Sequence, residues 1–77
     1  MRQLGIRFDP PSLILVYQYN ESKMHQRVMP IRNFNSGSNV SFVASQLKLR
    51  HEESLKCVPL ITIEKLLRIL QVSMLWA

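Results

Sequence analysis

The chain has only one cysteine in its 77 residues, so it cannot form an internal disulfide. Cys57, His25 and His51 lack the paired spacing that zinc ligands usually show, and we expect neither a metal nor a cofactor. A single cysteine among apolar neighbours behaves as a small buried hydrophobe and fits a reducing compartment. We therefore expect a buried Cys57 and a location in the cytosol or nucleus.

Glycine is equally scarce, with Gly5 and Gly37 as its two examples. This scarcity excludes a glycine-rich phosphate-binding loop, and the sequence also lacks the G-x-S-x-G elbow of serine hydrolases. Cys57 and His51 could pair as nucleophile and base, but no orienting third group accompanies them. We expect a protein that is not an enzyme.

Long hydrophobic runs are absent. Arg2, Arg7 and Asp9 interrupt the N-terminal residues where a secretory signal would need an apolar core. Arg68 breaks the longest apolar stretch, which falls short of the roughly 18 residues of a membrane span. The sequence thus predicts no membrane span.

Acidic residues are half as frequent as basic ones, and the formal net charge is +5. The basic residues are scattered, and no aromatic-rich strand resembles an RNA-recognition signature. We expect no nucleic acid as a partner. A small basic nucleic-acid-binding domain remains the alternative, and a steep salt dependence of binding to generic RNA or DNA would favour it.

Alternation of apolar residues predicts strands at residues 4–8, 13–19 and 24–31. The second has apolar residues on both faces, which is typical of a central strand. Turn-forming residues 20–22 separate it from the third, where Pro30 indicates an edge position, a bulge or the strand's end. We expect an antiparallel hairpin, at about residues 4–34, or a three-stranded meander.

Two later segments show the i, i+3, i+4, i+7 spacing of an amphipathic helix. The apolar stripes are Val40, Val43, Ala44 and Leu47, then Ile63, Leu66, Leu67 and Leu70. We predict helices at about 39–50 and 62–74, capped by Ser38 and Thr62, with one more helical turn at 52–56. The fold class is α+β, a single domain over 1–77 with the two C-terminal helices packed on one face of the sheet.

Several phrases follow one another along the chain: Gly-Ile-Arg-Phe at 5–8, Pro-Pro at 10–11, the apolar run at 13–17, Gln-Arg-Val-Met-Pro-Ile-Arg-Asn-Phe at 26–34, Ala-x-Gln-Leu-Lys at 44–48, Arg-His at 50–51 and Ile-Glu-Lys-Leu-Leu at 63–67. In this order they resemble the family of the centrosomal protein of 19 kDa. The resemblance implies a scaffold of the centrosome, mother centriole and ciliary basal body, in the cytoplasm and cytoskeleton. Its expected partners are centriolar scaffold proteins and a GTP-bound Rab-like small GTPase. The resemblance also implies that this GTPase in turn engages the intraflagellar transport machinery and promotes ciliogenesis.

Residues 71–77 do not resemble the family's continuation, which is a long acidic tail. We expect a truncated isoform or a partial gene model, and a truncated product with little function is a further alternative. On this interpretation the C-terminal Met74-Leu75-Trp76 is an aggregation liability, although it could also bind a membrane or a partner groove.

Four residues in the family-like phrases are candidates for partner binding. Arg7, Arg27 and Arg32 could recognise an acidic partner through bidentate guanidinium contacts, or their stems could simply cover apolar area of the sheet. Phe34 could join Met29 and Ile31 as a hydrophobic anchor. The competing interpretation places Met29 and Ile31 in the core, because so short a domain has few apolar residues with which to form one.

Overall fold

The computed structural model describes residues 2–21 and 23–75; Ser22 of the predicted turn and Trp76 and Ala77 lie outside this range. The chain divides into two compact units, Met1–Arg32 and Asn33–Ala77. The elements in chain order are β1 (Arg2–Phe8), β2 (Pro11–Asn20), β3 (Lys23–Pro30), α1 (Val40–Arg50), α2 (Glu52–Leu55) and α3 (Leu60–Met74). The packing of the helices on the sheet, and the single domain, stay predictions.

The first unit is a three-stranded antiparallel meander in the order β1-β2-β3. Together with the helices that follow in the chain, this meander confirms the α+β class, and its strand order confirms the central position of the second strand. Proline has no backbone N–H to donate to a neighbouring strand, and it is tolerated in turns and at the ends of edge strands. Pro10 lies in the two-residue β1–β2 turn, whose Asp9–Pro10 peptide bond is cis, and Pro30 is the last residue of the edge strand β3.

The register gives the sheet two distinct faces, because side chains alternate along each strand and paired residues share a face. On one face, Leu13 lies between Ile6 and Met29, and Leu15 lies between Leu4 and Arg27. We call this the leucine face; Leu13, Leu15 and Met29 are buried on it. The other face carries Ile14 between Gly5 and Val28, and we call it the isoleucine face.

The second unit consists of the three helices and the loop that precedes them. Helix α1 begins at Val40 after Asn39, whose side-chain Oδ1 accepts a hydrogen bond from the Phe42 N–H at 3.0 Å. The prediction that Ser38 caps this helix is wrong, because the Ser38 hydroxyl instead accepts from the Asn35 N–H at 2.9 Å. Asparagine and serine are comparably good caps, so the sequence alone did not separate neighbouring candidates.

Helix α3 begins at Leu60, two residues before the predicted start. Thr62 is therefore not its cap; Pro59 occupies that position with extended backbone angles and no side-chain hydrogen bond. Proline's fixed φ suits the residues at a helix entry, where the backbone N–H groups lack helical partners. The predicted turn of helix within 52–56 is confirmed as α2.

Both predicted apolar stripes contribute to the core of the helical unit, where α1 packs against α3. Ala44 and Leu47 of α1 and Ile63, Leu67 and Leu70 of α3 are all buried. Leu55 of α2 is also fully buried. The 3.6-residue period thus identified the inward faces of both long helices.

Candidate partner-binding surface

Arg7 lies near the end of β1, opposite Ser12 of β2, and its side chain is exposed. Ser12 is buried and its hydroxyl donates to the Pro10 carbonyl at 3.0 Å, which helps to fix the adjoining β1–β2 turn. The pairing places Arg7 on the isoleucine face.

Arg27 lies on β3 opposite Leu15 and therefore on the leucine face. Its side chain is exposed, whereas Leu15 is 4% exposed. Arg7 and Arg27 thus point to opposite faces of one sheet, and a single small partner patch cannot use both by direct contact. Arg27 beside a buried leucine also fits the interpretation in which the arginine stem covers apolar area.

Arg32 follows β3 and is exposed in the turn that leads out of the sheet. The preceding residue, Ile31, is buried, and its N–H donates to the Pro11 carbonyl at 2.9 Å. The next residue, Asn33, has a φ of 57°, a left-handed conformation that asparagine adopts more readily than most residues. The anchored backbone on one side and the turn on the other hold Arg32 at the surface.

Phe34 is buried, with 8% of its surface exposed. A side chain this buried offers little area to a partner unless its segment rearranges, so its placement favours a packing role. Met29 and Ile31 are buried as well, which supports the core interpretation of both residues.

The structure places Lys23 and His25, which sequence reasoning did not select, on the same strand as Arg27. His25 and Arg27 lie on the leucine face opposite Tyr17 and Leu15, and Lys23 follows them by alternation along β3, although its partner Asn20 lies beyond a register irregularity in β2. We call these three residues the basic row. The His25 ring stacks on the Tyr17 ring of β2 with centroids 5.4 Å apart. Opposite Tyr17 on β1 lies Arg2, also exposed. The signal was present as K-x-H-x-R, but scattered charge hides such alternation until the strand is assigned.

Cys57 is exposed, which makes the prediction of a buried thiol wrong. Cys57 lies in the turn between α2 and α3. The buried side chain nearby in the chain is Leu55, the last residue of α2. Among the described residues, no group of three or more His, Cys, Asp or Glu side chains could hold a metal ion. None of the described helices has the length and apolar character needed to cross a membrane.

The C-terminal end of α3 is integrated into the helical unit. Gln71 donates from its side-chain amide to the carbonyls of Asn35, at 3.2 Å, and Ser38, at 2.7 Å. Leu75 is exposed and Met74 half-buried, while Trp76 of the predicted apolar tip lies outside the described residues. Residue 71 therefore holds the loop before α1 against α3.

Comparison with known proteins identifies the chain's relatives. A model of the family described as CEP19-like protein matches residues 2–75, including residues 71–75 that we expected to be atypical. The Centrosomal protein of 19 kDa from Danio rerio is 43% identical over 68 residues, covering 84% of this chain and 42% of the relative. The Homo sapiens and Bos taurus proteins of the same name are 42% and 44% identical, each over 91% of this chain and 45% of the relative.

The chain spans about half the length of the curated relatives it matches. No solved structure gives a significant match. The relatives' shared name confirms the expected location at the centrosome, within the cytoskeleton, and names no enzymatic activity. Because the family match covers nearly the whole chain, the chain belongs to the CEP19-like protein family, a family of centrosomal proteins.

Proposed function

We propose that the chain is a non-enzymatic scaffold module of the mother centriole and the ciliary basal body. It binds centriolar scaffold proteins and helps to recruit a GTP-bound Rab-like small GTPase and the intraflagellar transport machinery for ciliogenesis. The observation that carries the proposal is the family match over residues 2–75, whose curated relatives are centrosomal proteins.

The exposed arginines of the sheet unit supply the chemistry for these contacts. A guanidinium group is always charged and can donate two parallel hydrogen bonds to one carboxylate. Arg27 and Arg32 are both exposed; Arg27 lies on β3, and Arg32 lies two residues after the end of this strand. The sheet unit holds five Lys and Arg residues but only Asp9 and Glu21 as acids, so an acidic partner surface is favoured.

Charge reversal tests this assignment. Arg27→Glu combined with Arg32→Glu should abolish co-purification of centriolar proteins from ciliated cells and leave the far-UV circular dichroism spectrum unchanged. Lys56→Glu with Lys65→Glu makes the same change in net charge at exposed helical-unit positions and should retain co-purification. Equal loss in both variants would mean that net charge alone governs binding, and an unfolded Arg27/Arg32 variant would indicate a structural role for these arginines.

The GTPase assignment has its own test. The purified chain should bind the Rab-like small GTPase loaded with a non-hydrolysable GTP analogue and not the GDP-loaded form, because switch segments are ordered by the γ-phosphate. Equal binding of both forms, or binding of neither, would remove this partner from the proposal. The centriolar assignment would stand independently, since co-purification tests it separately.

A further inference from the structure

Strand β3 is an exposed edge strand whose outer side has no neighbouring strand within the described sheet. Residues 23–28 are all exposed, and burial begins only at Met29. An unpaired edge presents backbone N–H and C=O groups that can pair with a strand from another chain. Pro30 ends β3, so the preceding residues are free of the ring that would block such pairing.

The two faces of this edge differ in chemistry. The basic row, Lys23, His25 and Arg27, lies on the leucine face with roughly 6.8 Å between alternate positions. Neither acidic residue of the sheet unit lies on β3, because Asp9 and Glu21 are in the turns. Lys23 and Arg27 thus carry the positive charge of this face of the edge, and the His25 ring, which stacks on Tyr17, lies between them.

The opposite face of β3 carries no charge. Met24 and Val28 are 55% and 41% exposed, and Gln26 lies between them. Gly5 of the same face has nothing within 4 Å of where a Cβ would lie, so the surface is open there too. Along residues 23–28, β3 therefore offers apolar contact area on the isoleucine face and the basic row on the leucine face.

We propose that β3 binds an extended partner segment in which acidic and apolar residues alternate, and that the segment adds a fourth strand to the sheet. Residues opposite each other on paired strands have Cβ atoms about 4.5–5.5 Å apart. Carboxylates at alternate positions would lie beside the basic row, and the intervening apolar side chains beside Met24 and Val28. The inference rests on the proposed function, since it names the kind of segment that a scaffold partner would supply.

The same geometry disfavours other occupants. A second copy paired antiparallel through β3 would set one basic row against the other, and like charges directly opposite are destabilising. An anionic membrane could contact the basic row but would leave the edge N–H and C=O groups without protein partners. Basic residues on an edge reject neutral strands, so an acidic strand is the one this edge selects.

A designed peptide pair tests the proposal on the full 77-residue chain. The probe is a fluorescent peptide of alternating glutamate and valine, equal in length to the 8 residues of β3. The control has the same composition with the glutamates and valines in separate blocks. Fluorescence anisotropy should show about tenfold tighter binding of the alternating peptide, because only it places every carboxylate on the basic side. Amide hydrogen exchange should slow in β3 and not in α1.

Charge reversal provides the matched variants. Lys23→Glu with Arg27→Glu should weaken binding of the alternating glutamate peptide about tenfold and create binding of an alternating lysine–valine peptide. Lys56→Glu with Lys65→Glu should do neither. Rescue by the lysine peptide shows that the variant is folded, so loss of binding cannot be attributed to unfolding.

Three results would overturn the inference. They are equal binding of the alternating and block peptides, binding without slowed exchange in β3, and association only with anionic vesicles or with a second copy of the chain. Each would reject the edge-strand site while leaving the centriolar proposal intact, because co-purification of centriolar proteins does not depend on the peptide probe.

Discussion

At the residue scale, stability depends on a few fully buried leucines. Leu67 of α3 is 0% exposed, whereas Leu75, just after α3, is 67% exposed. Leu67→Ala should destabilise the fold by about 2–5 kcal/mol, because it removes buried surface and leaves a cavity. Since a core of this size supplies roughly 3–5 kcal/mol in total, the variant should be largely unfolded at 37 °C. Thermal melting by circular dichroism measures this.

The matched variant Leu75→Ala makes the same chemical change at an exposed site. Its melting curve should stay close to that of the unchanged chain, within about 0.5 kcal/mol. Equal effects of the two substitutions would contradict the assignment of Leu67 to the core.

The cap of α1 is a second residue-scale prediction. Asn39→Ala removes the oxygen that accepts from the Phe42 N–H and should cost about 1 kcal/mol. Ser38→Ala loses only a loop hydrogen bond to Asn35 and should cost less. Urea denaturation measures the loss of stability in each variant. A larger loss in Ser38→Ala than in Asn39→Ala would contradict the assignment of Asn39 as the cap.

At the element scale, the hydrophobic pattern predicted all three strands and both long helices, and a short turn of helix was expected between the helices. The pattern works for the two long helices because each buries one face, and for the strands because their two-residue period differs from the helical one. Element ends were predicted less well, as the early start of α3 at Leu60 shows. A helix entry depends on competition between neighbouring caps and on proline geometry, which a periodic pattern does not contain.

For the candidate partner-binding surface too, the sequence identified residues but did not determine where their side chains lie. The sequence selected Arg7 and Arg27, but only the register reveals that they lie on opposite faces of the sheet. The sequence also offered Phe34 as part of a hydrophobic anchor for a partner, and the structure buries this side chain. Exposure in a loop depends on tertiary contacts, so neighbouring residues in the chain cannot determine it.

The link between α3 and the loop before α1 gives an element-scale prediction. Gln71→Met keeps the side-chain length but removes both hydrogen bonds to the Asn35 and Ser38 carbonyls. We expect a loss of roughly 1–2 kcal/mol and faster amide hydrogen exchange at the start of α1. Gln46→Met, at an exposed position of α1, is the control and should have little effect. Unchanged exchange in the Gln71 variant would mean that the loop does not depend on this link.

At the scale of the whole molecule, the chain combines a basic sheet unit with a helical unit and matches about half of each curated relative. The net charge of +5 would suit nucleic acid, yet the charges of β3 are arranged on one strand face rather than in a broad patch. We expect only weak binding of generic RNA, without the steep salt dependence of a protein that neutralises many phosphates. Filter binding over a range of salt concentrations measures this, and a steep slope would favour the nucleic-acid alternative.

The most direct test of the central claim is the location of the tagged 77-residue chain in ciliated cells, scored against a mother-centriole marker. The account predicts a focus at the mother centriole and the basal body, because it proposes that the family-matched segment binds centriolar proteins. A diffuse signal from soluble, intact protein would contradict it.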